Sequence, residues 1–259
     1  MKKSGRLTVV GIGPGAAEQM TFEAVRAMEE SDVIIGYHVY VDLVRDMFPD
    51  KEMLSTPMRR EAERCEMAIR EAAAGKDVAF ICSGDSGVYG MAGLLLEMTD
   101  KYEREQKAPL SQEERIEVRV IAGVTAALSG AARLGAPLIH DFAVISLSDL
   151  MTPRSLIEKR LRAAGEADFA VVIYNPSSRK RADYLARACD ILLESRSPDT
   201  VCGTVRSIGR EGETKEICTL KELRNRQVDM FTTVFIGNSS TRRIGGRMVT
   251  LRGYEAERE

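Results

Sequence analysis

An α/β fold in two domains, with a mainly parallel sheet in the first and a mixed sheet in the second, is predicted by three features of this chain. Short β-branched runs alternate with amphipathic segments along most of the sequence, the pattern of βα units. The first such run ends in a glycine-rich loop. The 259 residues, at roughly 150 per domain, amount to nearly two domains.

In the first half, residues 7–11, 33–36, 78–82 and 118–121 read as strands. Helices are predicted at 21–30, where Thr21 suits an N-cap, and at 59–74 and 88–98. On the second helix Ala62, Cys65, Ile69 and Ala72 share one face, while Arg and Glu crowd the other. Residues 100–117, DKYEREQKAPLSQEERIE, are almost wholly polar and read as a solvated helix end and surface loop. The second half repeats the theme, with strands at 142–147, 170–174, 201–205 and 232–236 and helices at 125–134, 153–164 and 182–195. Shorter strands at 217–220 and 248–251 make its sheet mixed. A boundary at 122–124 gives domains 1–122 and 123–259.

Charge and composition narrow the function. Lys and Arg number 37 against 39 Asp and Glu, so no global positive field attracts nucleic acid. Trp is absent and aromatics are few, which argues against a stacking platform for single strands. The five cysteines, Cys65, Cys82, Cys189, Cys202 and Cys218, lie far apart, and only His38 and His140 accompany them. That pattern predicts buried free thiols and no metal site. The apolar stretch at 7–10 is too short for a signal peptide, and the uncharged stretch 120–132 is too short to span a membrane. A cytoplasmic protein with reduced thiols is expected.

Two loops carry the candidate chemistry. Gly11-Ile12-Gly13-Pro14-Gly15-Ala16 satisfies the dinucleotide pattern G-x-G-x-x-A. Pro14, however, removes a donor where a pyrophosphate needs one. The helix starts only near Thr21, and the second strand runs out as Gly36-Tyr37-His38 without an acid for a ribose. The third strand enters Cys82-Ser83-Gly84-Asp85-Ser86-Gly87-Val88-Tyr89-Gly90. Gly84 and Gly87 there make a turn while Asp85 caps the following helix, or the turn is a backbone platform for a polar, adenosine-like ligand. No P-loop motif is present.

The GIGPG loop, CSGDSGVYGMA and Ala122-Gly123-Val124-Thr125-Ala126 together resemble the tetrapyrrole methylases. GAPLIHDFAVISLSDLMTP at 135–153 resembles the branch of that family that methylates ring carbon 17 of precorrin-3B and contracts the macrocycle. So do Ala167-Asp168-Phe169, Tyr174-Asn175-Pro176, Met230-Phe231-Thr232-Thr233, Ile236-Gly237-Asn238-Ser239 and Arg252-Gly253-Tyr254. The resemblance covers nearly the whole chain in order.

That resemblance implies two unequal α/β domains, S-adenosyl-L-methionine in the cleft between them, and a homodimer. It places Pro14, Gly84, Asp85, Ser86, Val88, Tyr89, Thr125 and Ala126 at the cofactor. From the second domain it adds Tyr174, Asn175, Arg206, Ser207, Thr232 and Thr233. Pro14 also belongs to the loop that shapes the substrate mouth. The substrate is an anionic tetrapyrrole, precorrin-3B or its cobalt-bearing counterpart; a sibling methylase would act at another carbon. Two departures stand out: Ser86 where many relatives carry Pro or Ala, and Arg154 where a Trp is expected.

Methyl transfer needs positioning and desolvation, whereas ring contraction needs proton movement. Asp85, His140 and Asp149 are therefore candidate catalytic groups, with Asp141 and Ser146 nearby in sequence. Each also has a plain structural reading, as a turn or cap. Arg59, Arg64, Ser146 and Asp149 are candidate substrate contacts, since carboxylates call for arginine. Arg60, Arg154, Arg179-Lys180-Arg181 and Arg242-Arg243 offer further basic faces, which as charge runs also read as solvated surface. Rival readings are a non-catalytic tetrapyrrole-binding module and an NAD-dependent dehydrogenase.

Overall fold

The computed structural model describes residues 4–106, 108–178 and 183–254; the basic run Arg179-Lys180-Arg181 lies outside them. Two compact units divide the chain, Met1–Thr125 and Ala126–Glu259.

The first unit is a chain of βα steps. It comprises β1 (Arg6–Gly11), α1 (Phe22–Glu30), β2 (Val33–Tyr37), α2 (His38–Val44), β3 (Glu52–Thr56), α3 (Glu61–Ala73), β4 (Val78–Cys82), α4 (Ala92–Arg104) and β5 (Glu117–Ile121). All pairings in its sheet, ordered β3-β2-β4-β1-β5, are parallel. Every residue of β4 is buried, as a central parallel strand covered on both faces requires. Strand alternation sorts the core into two layers. Leu7, Val9, Ile35 and Phe80 pack with Cys65, Ile69 and Leu95 of α3 and α4. Val10, Ile34 and Ile81 pack on the opposite face with Met28 and Val41 of α1 and α2. Thr21 caps α1, its hydroxyl accepting the Ala24 N–H at 3.1 Å.

The second unit contains α5 (Ala126–Leu134), β6 (Gly135–Ala136), β7 (Phe142–Ser146), α6 (Arg154–Glu166), β8 (Ala170–Tyr174), α7 (Tyr184–Leu193), β9 (Val201–Arg206) and β10 (Thr214–Thr219). It closes with α8 (Leu220–Leu223), β11 (Thr232–Ile236), β12 (Thr241–Ile244) and β13 (Arg247–Thr250). Its main sheet, β10-β9-β11-β8-β7, is mixed as expected: β7 and β8 run parallel and the other pairs antiparallel. Ile145, Ile173 and Val234 meet α6 and α7 on one face, and Val172, Val205 and Phe235 meet α5 on the other. A second, three-stranded sheet orders β12-β13-β6.

The structure departs from the sequence reading in several places. The edge strand β3 and the helix α2 were not predicted; α2, HVYVDLV, is rich in β-branched residues, and α3 starts only after them. The fourth helix begins at Ala92 instead of Val88, because residues 86–91 form turns in which Tyr89 takes φ +52° and Ala92 N–H reaches Ser86 O. Ala62 is exposed and Arg64 buried, so the buried face of α3 is rotated from the predicted one. Leu220 starts α8 rather than ending a strand, behind a Thr219–Glu222 capping box. The strand expected at 248–251 is β13, but its hairpin partner β12 was missed, although the Gly245-Gly246 turn between them, with both φ positive, suits a tight hairpin. No helix among the described residues is long and apolar enough to cross a membrane.

Candidate active site

In the first unit, three loops leave the carboxyl ends of β1, β4 and β5, where open parallel sheets bind ligands. The loops are tied to one another through the backbone. Gly13 and Gly84 exchange both main-chain bonds, Gly13 N–H to Gly84 O at 3.1 Å and Gly84 N–H to Gly13 O at 2.7 Å. Each glycine has positive φ, +71° and +68°, which a side chain would strain. Asp85 adds a second tie. One carboxylate oxygen accepts Gly87 N–H at 2.8 Å and the other accepts Gly123 N–H at 2.9 Å, joining the β4 loop to the β5 loop. A Cβ on Gly123 would lie 2.1 Å from Gly84 O, so the loops touch backbone to backbone.

The N–H groups of Gly13, Gly84, Gly87 and Gly123 all have protein acceptors. These four glycine donors are therefore used within the scaffold and are not open to a phosphate. Pro14 is buried beside them, Val88 is half-buried, Tyr89 is exposed, and Thr125 ends the unit. Ser86 is fully buried, and its hydroxyl has no partner among the described residues.

The basic candidates of this unit divide. Arg59, at φ +67°, is exposed after β3, and Arg60 pairs with Glu63. Arg64, expected on a solvated substrate-facing side, points inward: it is 5% exposed and donates to Thr56 Oγ1 at 2.6 Å. The helical period places Arg64 next to Cys65 on the face that meets the sheet.

In the second unit, register gathers residues that are far apart in sequence. Ser146 pairs with Tyr174 at the carboxyl ends of parallel β7 and β8. Strand β11 runs antiparallel to both β8 and β9, so its amino end, Thr232 and Thr233, falls beside Tyr174 and Arg206. Asn175 and Ser207, with φ +51° and +52°, turn the chain away at the same edge. Asn175 Nδ2 donates to Ser146 Oγ at 2.9 Å, and Tyr174 Oη accepts the Ala127 N–H of α5 at 2.7 Å. Asp149 accepts the Tyr184 hydroxyl at 2.5 Å.

Asp229 is a residue the sequence reading missed. It accepts from Arg206 Nε at 2.7 Å, from Thr232 Oγ1 at 2.9 Å and from Phe231 N–H at 3.0 Å, and so fixes the loop that enters β11. Burial pushes its pKa up, but these donors outweigh burial and hold it below the usual range. The available signal was the Asx-turn spacing from Asp229 to Phe231.

His140 is not brought to this edge. It precedes β7, is exposed, and sets its Nε2 2.8 Å from Leu251 O. Ser146 ends the same strand, roughly 13 Å along it at about 3.3 Å per residue. Asp141 lies at the His140 end.

The profile of the tetrapyrrole (corrin/porphyrin) methylases matches residues 6–224. The chain belongs to that family. Among the methylases, it is 48% identical over 248 residues to a "Probable cobalt-factor III C(17)-methyltransferase" of Salmonella typhimurium, covering 96% of this chain and 99% of that one. A "Precorrin-3B C(17)-methyltransferase" of Sinorhizobium sp is 38% identical, covering 92% and 91%. The chain spans about half the length of longer relatives from Priestia megaterium and Archaeoglobus fulgidus (45% and 53%). A solved methylase, "Crystal structure of the methyltransferase CobJ", superposes with a TM-score of 0.85 at 35% identity, covering 96% of this chain and 100% of that one.

Proposed function

We propose that this methylase transfers a methyl group from S-adenosyl-L-methionine to ring carbon 17 of an anionic tetrapyrrole in cobalamin biosynthesis, with contraction of the macrocycle. The observation that carries the reading is the 48% identity along nearly the full length of a relative named for C(17) methylation. The cobalt-bearing substrate is favoured over precorrin-3B, because the relative named for it is the more similar, 48% against 38%.

The loops fit the cofactor's chemistry. S-adenosyl-L-methionine carries no phosphate, so it does not need the glycine N–H groups that the loops already use among themselves. When bound, it supplies an electrophilic methyl. The chain's own residues hold and dry the reactants. Gly84, Asp85, Ser86, Val88 and Tyr89, with Pro14, Thr125 and Ala126, form the first set of cofactor contacts. Tyr174, Asn175, Arg206, Ser207, Thr232 and Thr233 form the second, along one sheet edge. Asp149 and Ser146, at that edge, are assigned to the substrate, and Asp149 to proton handling during contraction. His140, at the other end of β7, has no such position. Arg59, exposed after β3, remains a candidate cation for substrate carboxylates. The same reading takes the enzyme as a cytoplasmic homodimer, an assembly that sedimentation measures.

Incubation with methyl-labelled S-adenosyl-L-methionine and either cobalt-factor III or precorrin-3B tests the proposal by mass and absorbance spectra. Gain of one methyl with loss of the uncontracted chromophore is expected, faster with the cobalt substrate. Binding of S-adenosylhomocysteine without methyl transfer to either substrate would reject the reading.

A further inference from the structure

We propose that residues 147–153, between β7 and α6, form the element that receives the flat face of the tetrapyrrole, with Leu150 and Met151 as its apolar platform. The inference rests on the function proposed above and adds to it the part of the chain that contacts the macrocycle.

Leu150 and Met151 are 75% and 95% exposed, two large apolar side chains in water at the tip of one loop. The loop below them is firmly held. Leu147 is buried, and its N–H donates to Tyr174 O at 3.0 Å. Ser148 N–H reaches Ser146 Oγ at 3.2 Å, and Asp149 holds the Tyr184 hydroxyl at 2.5 Å. At the far foot, Pro153 O accepts Leu156 N–H at 2.9 Å, and the Arg154 guanidinium lies 4.8 Å over the Tyr184 ring while also bonding Glu158. Tyr184 thus clasps both feet of the loop. A braced loop that presents its apolar tip to solvent is arranged for contact with an apolar surface.

The position selects the surface. The loop leaves the carboxyl end of β7 beside Ser146, Tyr174 and Asn175, the edge where Thr232 and Thr233 also converge. A tetrapyrrole offers a broad apolar π face and keeps its carboxylates at the rim. Leu and Met suit such a face: they make non-directional contact, and the thioether is polarisable against a π system. The hydroxyl of Ser146 and the amide of Asn175 at the foot, with the apolar groups at the tip, match the rim and the face of that substrate class.

The test compares wild type, Leu150→Ser/Met151→Ser and the conservative swap Leu150→Met/Met151→Leu in the methylation assay with cobalt-factor III. The serine pair should raise the KM for the tetrapyrrole about tenfold or more, from loss of apolar burial. Its S-adenosylhomocysteine affinity and melting temperature should stay at wild-type values, and the swap should keep the wild-type KM. Tyr184→Phe, which removes only the hydroxyl held by Asp149, should raise KM in the same direction and leave kcat less affected. An unchanged KM in the serine pair of an active enzyme overturns this inference and leaves the proposed function intact. A changed sedimentation coefficient in that pair makes the tip a contact between copies and also overturns it. A wild type that methylates neither cobalt-factor III nor precorrin-3B removes both.

Discussion

The carboxylate of Asp85 holds the main-chain N–H of Gly123 at 2.9 Å, while its other oxygen holds Gly87 N–H. One side chain thereby links the loops after β4 and β5. Both Asp85 oxygens thus serve the scaffold, so its proposed part in cofactor binding is to position these loops.

Replacing Asp85 by Asn keeps one acceptor and turns an NH2 group toward a donor. Loss of a charge-assisted bond of this kind costs about 1.5–3 kcal/mol. Asp85→Asn should weaken S-adenosylhomocysteine binding roughly tenfold or more by calorimetry and lower the melting temperature. A variant with wild-type affinity but no turnover would instead make Asp85 a proton-handling group.

Gly123 and Gly93 predict opposite outcomes for the same substitution. A Cβ at Gly123 meets Gly84 O and Gly11 C, backbone atoms that cannot step aside, whereas at exposed Gly93 in α4 nothing lies within 4 Å. Gly123→Ala should destabilise by about 2 kcal/mol or more, and Gly93→Ala should stabilise by about 0.5–1 kcal/mol. Urea unfolding of both variants measures the contrast.

Arg64 belongs to the interior of the first unit, held by Thr56 Oγ1. Arg64→Ala should cost roughly 2–4 kcal/mol in unfolding free energy, through the lost bond and packing. Arg60→Ala, at an exposed ion pair, should change stability little. A fully stable Arg64→Ala enzyme with a raised tetrapyrrole KM would return Arg64 to substrate binding.

The five cysteines are free and buried. Burial pushes the thiols of Cys65 and Cys189 up to about 12 and those of Cys82 and Cys218 up to about 11, and raises Cys202 well above its ordinary value. At pH 8 native protein should leave a thiol-specific disulfide reagent almost unreacted, with all five thiols reacting after denaturation. The sign of the pH effect follows from linkage. Above about pH 8.5 the unfolded chain loses thiol protons that the folded chain keeps, so the native thiols' contribution is whole below that pH. It declines as pH rises toward 11–12. Melting temperatures should fall across that window, and less steeply in Cys189→Ala.

Much of the fold was legible because its signals are local. Continuous apolar runs marked β2 and β4, Thr21 marked the start of α1, and the paired glycines of the first loops marked turns. Elements without such signals were missed: β3 is a half-exposed edge strand, and α2 is written in β-branched residues. The family was legible as well, since its motifs are contiguous and ordered along the chain.

Placement was not. Sequence spacing alone determined that Ser146, Tyr174, Asn175, Arg206 and Thr232 sit at strand ends. Only the antiparallel insertion of β11 between β8 and β9 decided that they share one edge, and only strand direction set His140 at the other end of β7. The facing of α3 likewise decided that Arg64 is a structural donor. A local pattern fixes how a segment folds, whereas register and strand direction arise from pairing between distant segments, where burial and backbone hydrogen bonding are satisfied together.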